Sequence, residues 1–280
     1  MKFYYVNHKG ERLNLSEYPY IMTDCDFLNW TYSYDGEELD EENENMKEQE
    51  FKCTLAVVGI NGNSIEEKKS KWKQAIDRIN NVIAADVINK VDGKLHSDKG
   101  CYKECRIVAS EKSNYIKNSN LMYIDLKVST KNLYWIEEVK KSYSKDVSLD
   151  ENALDYSYDY PYDYSPKISK GGIDNNGVMV ADFEMIIYGP VVNPSVTIGE
   201  NLYQVFTEIK DGEYLKINTR NKIVEQYDIK GNSVSKYNSR NKEYKIFNKI
   251  SVGSNSVYWN GGFGFDIVMF KKRSEPQWSL

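Results

Sequence analysis

The stretch NSIEEKKSKWKQAIDRINNVIAA, Asn63 to Ala85, constrains the fold most, because it alone reads firmly as a long helix in a chain that otherwise alternates like strands. Ile65, Trp72, Ile76, Ile79 and Ile83 recur at helical steps and lay one apolar stripe opposite Glu66, Lys68, Lys71, Lys73 and Arg78. Ser64 followed by Glu67 forms a capping box, in which side chains satisfy free backbone N–H groups of the first turn. A solitary amphipathic helix among strands must lie on a sheet, so the aromatic and aliphatic stripe is expected to be core.

The rest of the N-terminal half supplies that sheet. Phe3 to Val6 and Arg12 to Leu15 flank the turn NHKG as an opening hairpin. Trp30, Tyr32 and Tyr34 alternate with small polar residues as a strand with one aromatic face, and Phe51, Cys53, Leu55 and Val57 form the strand that feeds the helix. Beyond the helix, Arg106 to Ala109 and Leu121 to Ser129 read as strands joined by the polar connection SEKSNYIKNSN, with Met122, Ile124, Leu126 and Val128 on one face. Between these elements, Glu37 to Glu50 carries eight acids and one lysine in fourteen residues, which reads as a solvated excursion that cannot build a core. Its spacing does not match a calcium loop.

From Val139 to Asn152 the pattern dissolves into EVKKSYSKDVSLDEN, which is read as the boundary between a domain 1–150 and a domain 151–280. The second domain opens with Tyr156, Tyr158, Tyr160, Tyr162 and Tyr164, interrupted by Pro161. These tyrosines are a candidate contact surface. They serve either as a platform for stacking sugar rings or, as alternating aromatics on edge strands ordinarily do, as packing over a neighbouring domain. From Gly177 onward Met179 to Ile187, Ser195 to Ile198, Leu202 to Ile209, Tyr214 to Asn218, Ile223 to Tyr227, Lys245 to Phe247, Ser256 to Trp259 and Phe265 to Phe270 are short predicted strands. Turn signals at roughly ten-residue spacing make them a β-sandwich or jelly roll. The fold class is therefore mainly β with one long helix, an α+β N-terminal domain followed by a sandwich.

The chemistry the sequence excludes is informative. A formal charge of −5, from 42 acids and 37 bases, gives no overall basic field for a nucleic-acid backbone and leaves room only for a local basic patch. The longest apolar run, LAVVGI, is far below the ~18 residues of a membrane span, and MKFYYVNHKG holds no apolar signal core. The chain is thus expected to stay in the compartment where it is made. Cys25, Cys53, Cys101 and Cys105 are expected as reduced thiols, and His96 with Cys101 and Cys105 lacks the second close pair a structural zinc needs. His8 in a turn and His96 in a polar loop are poorly placed as catalytic bases, and no acid pair stands in an apolar setting. Gly261, Gly262 and Gly264 lie between strands and form a turn, not a phosphate cradle. Neither an enzymatic role nor a metal or cofactor is expected. The 23 tyrosines favour a β-rich protein that touches a partner.

The opening hairpin, the strand-to-helix unit, LMYIDLKVSTKNLYWIEE, ADFEMIIYGPVVNPSVTIG, GEYLKINTRNKIV and the terminal EPQW follow one another along the chain. Together they resemble the distal tail proteins of phages infecting Gram-positive bacteria. Their order and spacing over nearly the whole chain carry the likeness, and the acidic excursion and the tyrosine ladder depart from it. The resemblance implies an N-terminal domain that assembles into a hexameric ring and a C-terminal galectin-like sandwich outside it. The ring would cap the tail tube and anchor a tail-tip hub or tail-associated lysin, with receptor-binding proteins as further partners. The location implied is the virion tail tip or baseplate, assembled in the bacterial cytoplasm, in a phage, a prophage or a phage-derived bacteriocin particle. A rival reading is a carbohydrate-binding module gripping a cell-wall glycan through Tyr156, Tyr158, Tyr160 or Trp259.

Overall fold

The computed structural model describes residues 1–30, 48–58, 62–116, 121–132, 134–146 and 169–278. The tyrosine ladder, most of the acidic stretch, Tyr32 and Tyr34 lie outside the described residues, and Trp30 stands in irregular backbone. The chain forms two compact units, Met1–Glu137 with Arg273–Leu280, and Glu138–Lys272.

In the first unit the strands are β1 (Phe3–Val6), β2 (Arg12–Asn14), β3 (Tyr20–Cys25) and β4 (Gln49–Val57), then helix α1 (Ile65–Asn89), then β5 (Gly93–Ser97), β6 (Cys101–Ile116), β7 (Leu121–Thr130) and the start of β8 (Trp135–Tyr143). All pair antiparallel. β6 organises the unit, because its first residues pair with β5 and β8 while Arg106 onward pairs with β7, which in turn pairs with β4. The alternation read in β7 is realised, with Met122, Ile124, Leu126 and Val128 buried. The polar residues after Ala109 are not a loop as expected: β6 runs on to Ile116, because a polar strand is stable wherever its backbone is paired and its outer face is wet.

Ser64 caps α1, its hydroxyl accepting from the Glu67 N–H at 3.1 Å, while the Glu67 carboxylate accepts from the Asn63 N–H at 2.8 Å. The helix packs on β6, β2 and β4. Ala75, Ile79, Val82 and Ile83 are buried, with Trp72 and Ile76 partly so, against Leu13, Leu55, Ile107 and Ile124. Ile65 is the exception to the predicted stripe. It is 73% exposed, and the first helix side chain packed against the hydrophobic core is Trp72, two turns further on.

The second unit contains the remainder of β8, then β9 (Ser169–Asn175), β10 (Asp182–Tyr188), β11 (Val191–Val192), β12 (Ser195–Ile198), β13 (Asn201–Gln204), β14 (Glu208–Ile209), β15 (Tyr214–Asn218), β16 (Ile223–Tyr227), β17 (Ser233–Ser235), a 3-10 turn at Tyr237–Ser239, β18 (Gly253–Trp259) and β19 (Phe265–Arg273). Val139 to Tyr143, read as the start of a patternless boundary, are strand. The order β17-β16-β15-β10-β19 makes one antiparallel sheet and β13-β12-β18-β9 another. Phe183, Met185, Ile187, Leu215, Ile217 and Ile267 from the first share a core with Val196, Ile198, Tyr203 and Val257 from the second. Leu202 to Ile209, predicted as one strand, is broken after Gln204, where the Val205 N–H turns to the Pro194 carbonyl. Lys245 to Phe247 is not a strand either: only Ile246 of the three is buried, and the Asn248 N–H closes a turn on the Lys245 carbonyl. Mainly β structure with a single long helix is thus the observed class among the described residues.

Candidate functional site

The residues singled out for chemistry fall in different places. Trp259, a platform candidate in the glycan reading, is 8% exposed and packs edge-on against Tyr143 and Phe265, so it belongs to the core. Strand β18 alternates, and Trp259 shares the buried face with Val257. His96 is not in a polar loop but in β5, its ring stacked on Tyr4 at 4.8 Å and an interplanar angle of 1°. Cys25 and Cys53 face each other across β3 and β4, while Cys101 and Cys105 are buried in β6. Burial lifts the Cys105 thiol to about 12. The hydrogen bond with Cys25, reinforced by burial, pushes Cys53 far above the ordinary thiol range. Both are therefore poor nucleophiles at neutral pH. Gly261, with φ +71°, sits in a turn whose next residue donates to Asn260 Oδ1.

His8, dismissed from sequence as badly placed, joins a buried polar cluster. The fully buried Asp86 carboxylate, on the last turn of α1, accepts from the Tyr5 hydroxyl at 2.5 Å, from the His8 N–H at 2.9 Å, and lies 2.5 Å from His8 Nδ1. Asn7 Nδ2 adds a bond to the Val82 carbonyl at 3.2 Å. An acid near a helix C-terminus is electrostatically unfavourable, and these donors supply the compensation. Burial, and then the bond to Asp86, hold the Tyr5 phenol far above its usual range. Tyrosine, aspartate and histidine in line suggest a proton relay, but the carboxylate is consumed by the strand and turn it secures. The cluster latches α1 to the opening hairpin. An Asp inside the run AADVIN was the only sequence signal for it.

Lys103 is a buried cation of the same unit. Its ammonium lies 4.7 Å from the Phe51 ring centroid and 5.5 Å from that of Trp135, and burial lowers its pKa to about 8. The aromatic faces offer it partial compensation for lost hydration.

Two aromatic surfaces occupy the second unit. Tyr188, Tyr214 and Tyr227 are direct cross-strand partners on β10, β15 and β16, with Tyr214 and Tyr227 stacked at 4.8 Å. Two of the three hydroxyls are engaged: Tyr188 donates to Asp266 at 2.9 Å and Tyr227 to Glu225 at 2.7 Å. Burial, then the Asp266 bond, raises Tyr188 to about 12. Burial opposes ionisation of Asp266, yet hydrogen bonds from Lys140, Ser142 and Tyr188 outweigh it and keep its carboxyl below the usual range. The outer two tyrosines of this face are thus tied to carboxylates of the same unit. The second surface surrounds Tyr237, whose ring is stacked with Phe247 and covered by the Arg240 guanidinium at 3.7 Å. Only strand register and the fold of the 237–248 segment bring these groups together, so sequence alone did not locate either.

A helix-covered antiparallel β unit followed by a two-sheet unit is the architecture these sites sit in. No family model matches the chain, and no curated protein matches it. Solved structures do. The SPP1 Dit protein, described as a paradigm of the hub adsorption apparatus in Gram-positive infecting phages, superposes with a TM-score of 0.56 at 9% identity, covering 97% of this chain and 99% of that chain. A chain of the phage P2 baseplate in its activated conformation with Ca gives 0.54 at 11%, and the same baseplate with Sr gives 0.55 at 10%, each covering 98% of this chain and 99% of theirs. At these identities the likeness is one of fold, and it agrees with the resemblance read from the sequence. Among the described residues no helix is long and apolar enough to cross a membrane.

Proposed function

We propose that this chain is a structural component of a phage tail tip, a distal tail protein without enzymatic activity. Its N-terminal domain, residues 1–150, closes into a hexameric ring that joins the tail tube to the hub. Residues 151–280 form a galectin-like sandwich displayed outside the ring. One observation carries the reading: baseplate and adsorption-apparatus chains match this chain from end to end, with nearly the whole of both chains covered. A likeness confined to one half would have fitted an isolated module, and the helix-bearing first unit has no place in a simple carbohydrate-binding module. Head-to-tail contacts that close on themselves are how copies of one chain make such a ring. The partners are the tail tube protein, the hub or tail-associated lysin, and receptor-binding proteins, in a virion assembled in the bacterial cytoplasm.

Electron microscopy of the full-length protein mixed with its tube and hub proteins tests this. Six-fold rings between tube and hub are expected. A protein that stays monomeric with both neighbours present overturns the reading. Because partners stabilise the assembling conformation by mass action, the protein alone is expected to associate more weakly than the mixture.

A further inference from the structure

The chain is acidic overall, yet the segment from Lys236 to Lys249 carries five bases against the single acid Glu243. This segment runs beside the 201–206 stretch: the Phe206 N–H donates to the Ser239 carbonyl at 2.7 Å, the Asn241 N–H to that of Gln204 at 2.9 Å, and Asn201 Nδ2 to that of Lys245 at 3.0 Å. The result is a strip with bases and rings interleaved. Phe206 is 52% exposed and Tyr237 41%, and Lys242 and Lys245 are exposed beside them. The Arg240 guanidinium sits over the Tyr237 ring, 3.7 Å from its centroid, and its Nη1 donates to the Tyr237 carbonyl at 2.8 Å, so two contacts hold it in place. Among the described residues neither Arg240, Lys242 nor Lys245 is in an ion pair, whereas Lys140, Lys216 and Lys249 of the same unit each face a carboxylate.

We infer that this strip binds a linear phosphate-bearing polymer in which polyol or sugar units alternate with phosphodiesters. A guanidinium held in place by these contacts offers its remaining N–H donors as a fork matched to phosphate oxygens, and the two lysines follow as point charges along the same stretch. The Tyr237 ring is taken up by Phe247 and Arg240, so it is the half-exposed ring of Phe206 on the neighbouring stretch that suits the C–H face of a polyol or sugar unit, a surface that an acidic peptide has no need of. The chain's net negative charge does not forbid this. The Debye length is about 8 Å at physiological ionic strength, so a bound phosphate feels the strip and little of the distant acids. The inference rests on the tail-tip reading only for the reason such a polymer would be met, and its binding is measurable on the isolated full-length chain, so either can fail without the other.

The experiment is binding of the purified full-length protein to synthetic poly(glycerol phosphate), with poly-glutamate as the acidic control. Saturable binding to the phosphate polymer is expected, weakening on the order of tenfold or more as salt rises from about 50 to about 200 mM. Arg240→Ala is expected to weaken it by about tenfold or more. The pair Lys242→Gln with Lys245→Gln, at exposed positions where folding is not at stake, is expected to weaken it and flatten the salt dependence. Poly-glutamate bound as tightly as the phosphate polymer, the lysine pair variant binding like the parent, or no binding at low salt would each overturn the inference.

Discussion

The Tyr5 hydroxyl and the Asp86 carboxylate meet at 2.5 Å, tying the first strand of the chain to the last turn of its long helix across 81 residues of sequence. Neither group has water to fall back on, since both side chains are fully buried. The pair therefore contributes less through its own strength than through the cost of breaking it.

Tyr5→Phe should lower stability by roughly 1–3 kcal/mol, the penalty of leaving a buried carboxylate oxygen without its donor. Asp86→Ala should cost at least as much, because the His8 N–H loses its acceptor with the phenol. The double variant should lose less than the two single losses added, as contacting residues do. Gly93→Ala should be as harmful as either, since its methyl would stand 2.4 Å from the Tyr5 oxygen and 2.5 Å from Asp86 Oδ2. Urea unfolding of the four variants checks this, and additive losses would contradict the coupling.

Along the helix, burial and not sequence pattern should decide the cost. Ile79→Ala should cost about 2–5 kcal/mol as a cavity in the core of the first unit, and Ser64→Ala about 1 kcal/mol as a lost cap. Ile65→Ser should be close to neutral in the isolated protein because the side chain is exposed. Melting curves of the three variants separate the alternatives: an Ile65 loss equal to that of Ile79 would mean the first turn is covered.

How far the sequence revealed this fold depended on whether an element's own residues set its environment. The helix, β7, β15 and β16 were legible because their apolar spacing and flanking turns decide both type and face. The far half of β6 was not, because its residues are polar and its strand state comes from pairing with β7. Ile65 looked buried because periodicity says which way a residue points but not where the sheet beneath it ends. The candidate sites were less legible still. Tyr188, Tyr214 and Tyr227 come from three strands, and only register aligns them. Phe206 comes beside the segment that carries Tyr237 and Arg240 because a strand predicted as continuous breaks after Gln204 and pairs with the 239–241 backbone.

The thiols should make stability indifferent to reductant and chelator. Cys53, Cys101 and Cys105 are buried and free, and Cys25 is half-buried opposite Cys53. Unfolding midpoints measured with and without reductant, and with and without chelator, should coincide. Stoichiometric zinc in the purified protein, or a midpoint that falls with either reagent, would refute this.

Alkaline pH should instead expose these groups. The folded-state values of Cys53, Cys101 and Cys105 are all raised, so the stability they contribute is fully present below the unfolded thiol value of about 8.5 to 9. It is lost as pH climbs through the folded values, which for Cys105 is about 12. Lys103 acts in the opposite sense. Its folded value is lowered to about 8, so between that pH and the ordinary lysine value the unfolded chain holds the extra proton and stability rises. Three raised thiols outweigh one lowered lysine, and raised tyrosines such as Tyr5 and Tyr143 add to the fall at still higher pH. The parent protein should therefore lose stability from about pH 9 upward, with Cys105 alone accounting for on the order of 3–4 kcal/mol by pH 12. Cys105→Ala should start about 1 kcal/mol lower at neutral pH and then decline less steeply, by about one proton in the slope. Lys103→Met should lose the offsetting rise and begin its decline earlier. Denaturant unfolding across this pH range decides the matter: equal slopes for the parent and Cys105→Ala would show that the buried thiol does not carry the linkage.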